Sequence, residues 1–349
     1  MNPDSGHDLG GAVHVHSLHS DGTGTVPEIA RAAAANDLDF VLLTDHDTLA
    51  AADRGEEGWH GSVLVLVGEE VSPLRQNHYL AFGLTRPIDH RGLAPGEIVA
   101  AVNRESGFGF LSHPFSRGSP RFSRGGQGMP WRDLDAAGYT GLELWSFVTD
   151  TAEHVASVRD LVRFIAAPGR FVDHPPRRNL VAWDALCRER RCVGLGGIDA
   201  HQVGVRVGRF VPLRLMAYRR SFSFLRTHAL LDRPLTGDAP RDRDALYAAL
   251  RAGRCYLAMD RLAAARGFRF EGDGVTMGEE IPARPVELRA RLPRAADVTL
   301  LRDGHAQARA HSAELSHRVE EPGVYRIAAT LPAYGRARTW ILSNPIYLR

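Results

Sequence analysis

Up to about residue 200 the chain alternates short apolar runs with helical patterns: AVHVH, then PEIARAAAAN, then DFVLL, a short helical piece, and SVLVLVG. Short apolar runs bounded by turn signals read as strands, and longer stretches with apolar residues three and four apart read as helices. Repeated strand–helix units call for a parallel sheet, because a parallel neighbour is reached only through a crossover. NHYLAFGL, FGFLSH, GLELWSF and CVGLGGI continue the strand series, with PGEIVAAVNRE, TAEHVASVRDLVRFIA and NLVAWDALCRERR as helices between them, so at least seven strands are expected before residue 200. Thr25 with Glu28 three residues on forms a capping box, and Pro27 suits a first turn, so the first helix is expected to begin near residue 26.

The texture changes after about residue 255. PVELRARL, DVTLLRDG with its Asp-Gly turn signal, GVYRIAATL and RTWILSNPIYL are short and alternating, with no good helix among them. This predicts an α/β domain over 1–255, closed by the helix DALYAALRAG, and a small antiparallel β-sandwich over 256–349.

The strand candidates carry ionisable side chains at or just past their carboxyl ends. In AVHVH a period of two puts His14 and His16 on one face, and Asp21 follows closely. LLTDHD offers Asp45 and His46, GEEVS offers Glu69 and Glu70, the fourth strand carries His78, the fifth ends at His113, and CVGLGGI runs into Asp199 and His201. In α/β folds those ends converge on one crevice. Alone, His78 or His113 reads as an ordinary satisfied histidine and Asp199 as a helix cap. Together, imidazoles and carboxylates so crowded would be costly to desolvate without a cation among them, and nitrogen and oxygen ligands suit zinc, manganese or iron.

Composition narrows the function class. A net charge of +2 predicts no bulk attraction to nucleic acid or anionic membranes. No apolar run approaches the length of a membrane span, and MNPDSGHDLGG lacks the pattern of a secretory signal, so a cytoplasmic location is the default expectation. Cys187, Cys192 and Cys255 are odd in number and form no CxxC pair, which argues against a disulfide framework or a thiolate zinc site. Nothing in the sequence sets the oligomeric state.

The segments HVHSLHSDG, LLTDHD, GEE, LSHP and GGIDAH, in this order, resemble the PHP (polymerase and histidinol phosphatase) superfamily of metal-dependent hydrolases. NHYLAFGL, the WDAL segment and the terminal SNPIYLR are similar to the branch named for the carbaryl hydrolases CehA and McbA. The resemblance implies a distorted (β/α)7 barrel holding two or three divalent ions (Mn, Zn or Fe), with a β-rich domain after it. It implies one ion on His14, His16, Asp199 and the bridging Glu70, a second on Asp21, His46 and His201, and a third on Glu70, His78 and His113. Glu69 is the possible substitute for Glu70, and His19 falls between motif positions as a rim residue.

The reaction implied is phosphoester hydrolysis by a metal-bridging hydroxide, with Asp45, His201 and Arg117 as candidate catalytic groups. Cleavage of a carbamate, ester or amide is the alternative. A metal-binding scaffold with a partner-binding β-sandwich is the non-enzymatic one, disfavoured by a complete ligand set. The loop PFSRGSPRFSRGGQG places Arg117, Arg121 and Arg124 where they could cradle a phosphate or simply face solvent. Trp145 could wall the substrate site or belong to the core.

Overall fold

The structure is a computed structural model that describes residues 7–121, 128–171, 174–202, 204–207, 210–214 and 216–349. It is mixed α/β, dominated by one large sheet. Strands β1 (His7–Val15), β2 (Phe40–His46) and β3 (Val63–Val71) pair in parallel, then come β4 (Tyr79–Phe82), β5 (Phe108–Leu111), β6 (Gly141–Ser146) and β7 (Val193–Gly197). The β5–β6 and β6–β7 pairs are again parallel. Just past β7, Val15 bridges Ala200 in parallel, and the Ile198 amide donates to the Val13 carbonyl at 2.9 Å, so the series returns to β1. All carboxyl ends except that of β4 therefore gather on one side.

Uniform parallel pairing fails at β4, which runs antiparallel to both β3 and β5. Only residues 72–78 separate β3 from β4, too few for a crossover, so the chain turns straight back. As a result, the amino end of β4 lies beside the carboxyl ends of its neighbours.

The strands are buried on both faces, as their continuous apolar runs require. In β2, Phe40 and Leu42 join Val13, Leu66, Leu80, Phe110 and Leu195 in one cluster. The alternate residues Val41 and Leu43 pack with Val65 and with Ile29 and Ala33 of helix α1 (Val26–Ala34). That helix starts where the sequence predicts. Thr25 Oγ1 accepts from the Glu28 amide at 3.3 Å, and Glu28 Oε2 accepts from the Thr25 amide at 2.9 Å.

The single helix expected over 151–166 is instead two, α2 (Phe147–Ala152) and α3 (Val158–Ala166). Ser157 breaks it by capping the second piece, its hydroxyl accepting from the Asp160 amide at 3.1 Å. The helix carrying WDAL, α4 (Arg177–Glu189), reaches the carboxyl-terminal strands through a buried bidentate pair, Asp184 with Arg326 at 2.7 and 2.8 Å.

After residue 255 the chain is almost entirely strand. β8 (Leu225–Leu231) and β9 (Cys255–Met259) continue antiparallel from β1, and β9 pairs onward with β13 (Arg336–Ser343). The last strands are thus joined by hydrogen bonds to the first part of the chain. PVELRARL and DVTLLRDG form one long bent strand, β10 (Val286–Arg302), whose register shifts between Arg291 and Ala296. It turns at Asp303-Gly304, both with positive φ (53° and 84°), into β11 (His305–Val319), and β12 (Gly323–Ala333) pairs with β10 and β13. Their apolar residues Leu288, Val298, Ile327 and Trp340 share a core with Phe270 and with Leu230 of β8 and Tyr256 and Ala258 of β9. Among the described residues no helix is long and apolar enough to cross a membrane.

A buried ionic knot lies where β1, β8 and β9 meet the segment leading to the final strands. His228 is flanked by Asp8 at 2.9 Å and Asp260 at 3.3 Å, one carboxylate on each ring nitrogen. Asp8 also accepts from Tyr256 Oη, the Gly267 amide and Arg269 Nη1, while Asp260 pairs with Arg226. An imidazole can serve two carboxylates only as a double donor. Burial opposes that proton, yet the two aspartates hold the ring's pKa up at about 8. A raised folded pKa contributes stability fully present below the unfolded value and lost as pH rises through the folded one. We therefore expect the thermal midpoint to fall between pH 7 and about 9, and His228→Gln to lower it at pH 7 while flattening that fall; an unchanged slope in the variant would contradict the assignment.

Candidate metal centre

The strand ends named by the sequence converge, though not by simple alternation. Val13 and Val15 pair with Leu42 and Leu43, consecutive residues of β2, so His14 is the extra residue of a bulge, with φ of 65°. His16 lies just past the strand, its amide donating to the Ala200 carbonyl at 3.0 Å. Bulge and strand end together bring the two rings to 5.1 Å.

Glu70 is the centre of the arrangement. The β2–β3 register sets it opposite His46, and its carboxylate is 1% exposed. Oε2 lies 3.3 Å from His14 Nε2, 3.5 Å from His16 Nε2 and 3.2 Å from His46 Nδ1. Oε1 lies 3.1 Å from His78 Nδ1 and 3.3 Å from His113 Nε2, and accepts the Ser112 hydroxyl at 2.8 Å. The antiparallel turn before β4 is what brings His78 to this side. Asp199 Oδ1 faces His14, His16 and His201 at 3.4, 3.5 and 3.4 Å, while Oδ2 accepts from Thr149 Oγ1. Asp21 closes the open side, 3.1 Å from His201 Nε2.

All nine residues expected as ligands fall in overlapping groups whose ligand atoms lie within 4.8 Å of one another. The grouping differs from the one implied by family likeness: His16 joins Asp21, His46 and His201, and His113 joins His14 and Asp199. The donor set fits divalent cations. His14 Nε2 and both ring nitrogens of His16 are fully buried without a hydrogen-bond partner, beside carboxylate oxygens. Buried polar atoms are rarely orphaned, and a shared cation satisfies both ring nitrogens and carboxylates.

Charge is finely opposed here. Burial would raise the Glu70 carboxyl, but His14, His78 and His113 hold it well below the usual carboxylate range; Asp199 is held down in the same way by His14, His16 and His201. Burial would strip the proton from His14, yet Glu143, Glu70 and Asp199 keep it bound well above the usual imidazole range. His201 is raised to about 9 against burial by Asp21 and Asp199, whereas burial and then the neighbouring His201 push His16 down to about 4.

Several expected residues stand elsewhere. Asp45, expected as a catalytic carboxylate, is turned toward the 17–20 loop, accepting from the Ser17 amide and hydroxyl at 2.7 Å each and from Ser20 Oγ at 2.6 Å. It shapes the loop that carries Asp21. Glu69 points away from Glu70, accepting from the Ile88 amide at 3.0 Å, and burial pushes it up to about 7. His19 pairs with Glu56 at 2.6 Å, outside the cluster. Trp145 is buried in the apolar core. Arg117 is exposed, its amide on Glu153, and neither it nor Arg121 lines the cavity over the cluster; Arg124 lies outside the described residues.

That cavity, about 660 Å3, reaches from Glu70, His113 and Asp199 outward past Asp21 to Leu74, Arg75 and Met129. Arg75 was not singled out by sequence, since nothing marks a lone arginine in a turn.

A second residue missed was Glu143. Fully buried on β6, it accepts from His14 Nδ1 at 2.9 Å and from the His113 amide at 2.7 Å, so it orients one ring and the backbone of another. Its signal was present: a charged residue inside the apolar strand GLELWSF. Gly197 makes room for it, since a Cβ there would overlap the Glu143 carboxylate.

No family model matches the chain, and no curated protein is similar to it. Among solved structures, a two-domain protein from Bacteroides vulgatus containing a predicted PHP-like metal-dependent phosphoesterase is similar at 14% identity and a TM-score of 0.45, over 97% of this chain and 96% of that one. A candidate metal-dependent phosphoesterase from Bifidobacterium adolescentis is 16% identical over 59% of this chain and 92% of that one, with a TM-score of 0.36. An amidohydrolase from Chromobacterium violaceum, with bound sulfate and no metal, is 18% identical over 55% and 87%, with a TM-score of 0.30. Likenesses of this degree carry no residue roles.

Carboxylates behind metal-ligating histidines fix the tautomer and ring, and their loss costs about 10- to 100-fold in affinity or activity. Glu143→Gln should accordingly weaken divalent-metal affinity about 10- to 100-fold in a competition titration with a chromogenic chelator, with the fold intact by circular dichroism. Wild-type affinity in the folded variant would remove Glu143 from the metal centre.

Proposed function

We propose that this chain is a metal-dependent hydrolase of the PHP type, a phosphoesterase acting on a small phosphorylated substrate. The observation that carries the reading is Glu70, whose two oxygens face different sets of imidazoles, as a carboxylate shared between two cations would. His14, His16 and Asp199 would hold one ion with Glu70, Asp21, His46 and His201 a second, and His78 and His113 with Glu70 a third. Manganese, zinc and iron all suit these nitrogen and oxygen donors. In this reading residues 1–255 form a distorted (β/α)7 barrel and 256–349 a β-sandwich, the arrangement of the CehA and McbA branch.

When bound, such ions lower the pKa of water and neutralise charge on the oxygens of the group under attack. The protein's own groups set the stage. Ser112 fixes the Glu70 carboxylate, Thr149 leaves a single oxygen of Asp199 facing inward, and Glu143 locks His14 with Nε2 toward the cluster. Hydrolysis then forms one bond from water oxygen to phosphorus and breaks the ester P–O bond, with the water's proton ending on the departing alcohol. Arg75, at the mouth, supplies a cation for an incoming anion.

The test is a substrate panel on metal-reconstituted protein, comparing phosphomonoesters, phosphodiesters and aryl carbamates. Phosphoester turnover that is abolished by chelation and restored by Mn, Zn or Fe is expected. Turnover confined to aryl carbamates, or activity that survives complete metal removal, would overturn the proposal.

A further inference from the structure

The outer half of the cavity differs in chemistry from its floor. The floor is Glu70, Asp199 and imidazoles, whereas farther out Leu74, Met129, Val148 and Ala152 give the cavity an apolar side, with Arg75 beside Leu74 and with the exposed Asp21 and Asp47 also in its lining. Leu74 is 85% exposed and lines the cavity together with Met129 and Val148, so its side chain is open to a ligand that enters there.

The turn that presents it is built rather than loose. The Ser72 amide donates to Asp47 Oδ1 at 2.8 Å, and the Asn77 amide donates to the Pro130 carbonyl at 3.1 Å. Buried Asn77 returns the contact, its Oδ1 accepting from the Arg132 amide at 2.8 Å, and Arg132 Nε donates to Gln76 Oε1 at 3.2 Å. Arg75 and Asn77 both take left-handed backbone, with φ of 69° and 60°. Non-glycine residues persist there only where the surroundings hold them. The same contacts tie the turn to the segment carrying Met129, so the two apolar side chains sit across one opening.

Resting on the phosphoesterase reading, we infer that the substrate is an amphiphilic phosphomonoester: its phosphate sits at the cluster with Arg75 alongside, and its ester group is apolar and ring-sized, lying against Leu74, Met129 and Val148. Leu74 and Arg75 are then specificity determinants with separable roles. Leu74 selects the apolar substituent, and Arg75 favours any phosphate dianion whatever it carries.

Ethyl phosphate and 2-phenylethyl phosphate test this, since their alcohols leave almost equally well and differ in the ring. The metal-loaded wild type should favour the phenylethyl ester by at least about tenfold in kcat/KM, mostly through KM, as expected for filling a hydrophobic pocket. Leu74→Ser should reduce that preference about tenfold, and Arg75→Gln should raise KM for both esters by a similar factor and leave their ratio standing. Equal kcat/KM for the two esters in the wild type, or a preference untouched by Leu74→Ser, overturns this inference and leaves the phosphoesterase reading in place. Turnover of neither ester, together with the rest of the phosphoester panel, removes both.

Discussion

The structure depends on one buried carboxylate, Glu70, with five imidazoles turned toward it. A carboxylate with 1% exposure is costly to desolvate, and only positive charge beside it offsets that cost, whether from His14, which keeps its proton well above the usual imidazole range, or from bound cations. Much of the local backbone serves this convergence. The β2–β3 register delivers His46, the bulge in β1 delivers His14, and the reversed β4 delivers His78. His14, His113 and Asp199 all have positive φ, a conformation costing of order 1–3 kcal/mol for each such residue. Three such residues at one site mark a place where stability yields to geometry.

The ligand-type residues were legible in the sequence because strand ends in an α/β chain share a side, and an imidazole or carboxylate there stands out against valine and leucine. What alternation could not show is how His14 and His16 reach one point, since a bulge is a tertiary event that period-two reasoning cannot see. Asp45 looked catalytic by its place in TDHD; only the fold reveals that Ser17 and Ser20 claim its oxygens. The arginine-bearing loop drew attention through composition, while Arg75, in an unremarkable turn, lines the cavity. Ser157 shows the same limit in a helix, because a cap and a mid-helix serine read alike until packing chooses.

The carboxyl-terminal strands are tied to the part that carries the histidine and carboxylate cluster at several points. β9 is hydrogen-bonded to β13, Asp184 grips Arg326, and the Asn344 side chain spans both parts, accepting from the Gly194 amide at 2.7 Å while its amide nitrogen donates to the Cys255 carbonyl at 2.9 Å. Gly194 belongs to β7, the strand that runs into Asp199 and His201. The final residues of the chain thus brace the strand that supplies two of the metal-ligand candidates, which gives the β-rich end a structural role in the site. The His228 knot adds a second brace at the opposite end of β1.

The central claim is that Glu70 is shared between cations, and the most direct measurement is the number of divalent ions retained per chain, by elemental analysis after reconstitution and extensive dialysis, in wild type and in Glu70→Gln. Sharing predicts at least two equivalents in the wild type and a loss of more than one in the variant, because removing a bridge weakens every site it joins. One equivalent or fewer in the wild type, or the same content in both proteins, would contradict it.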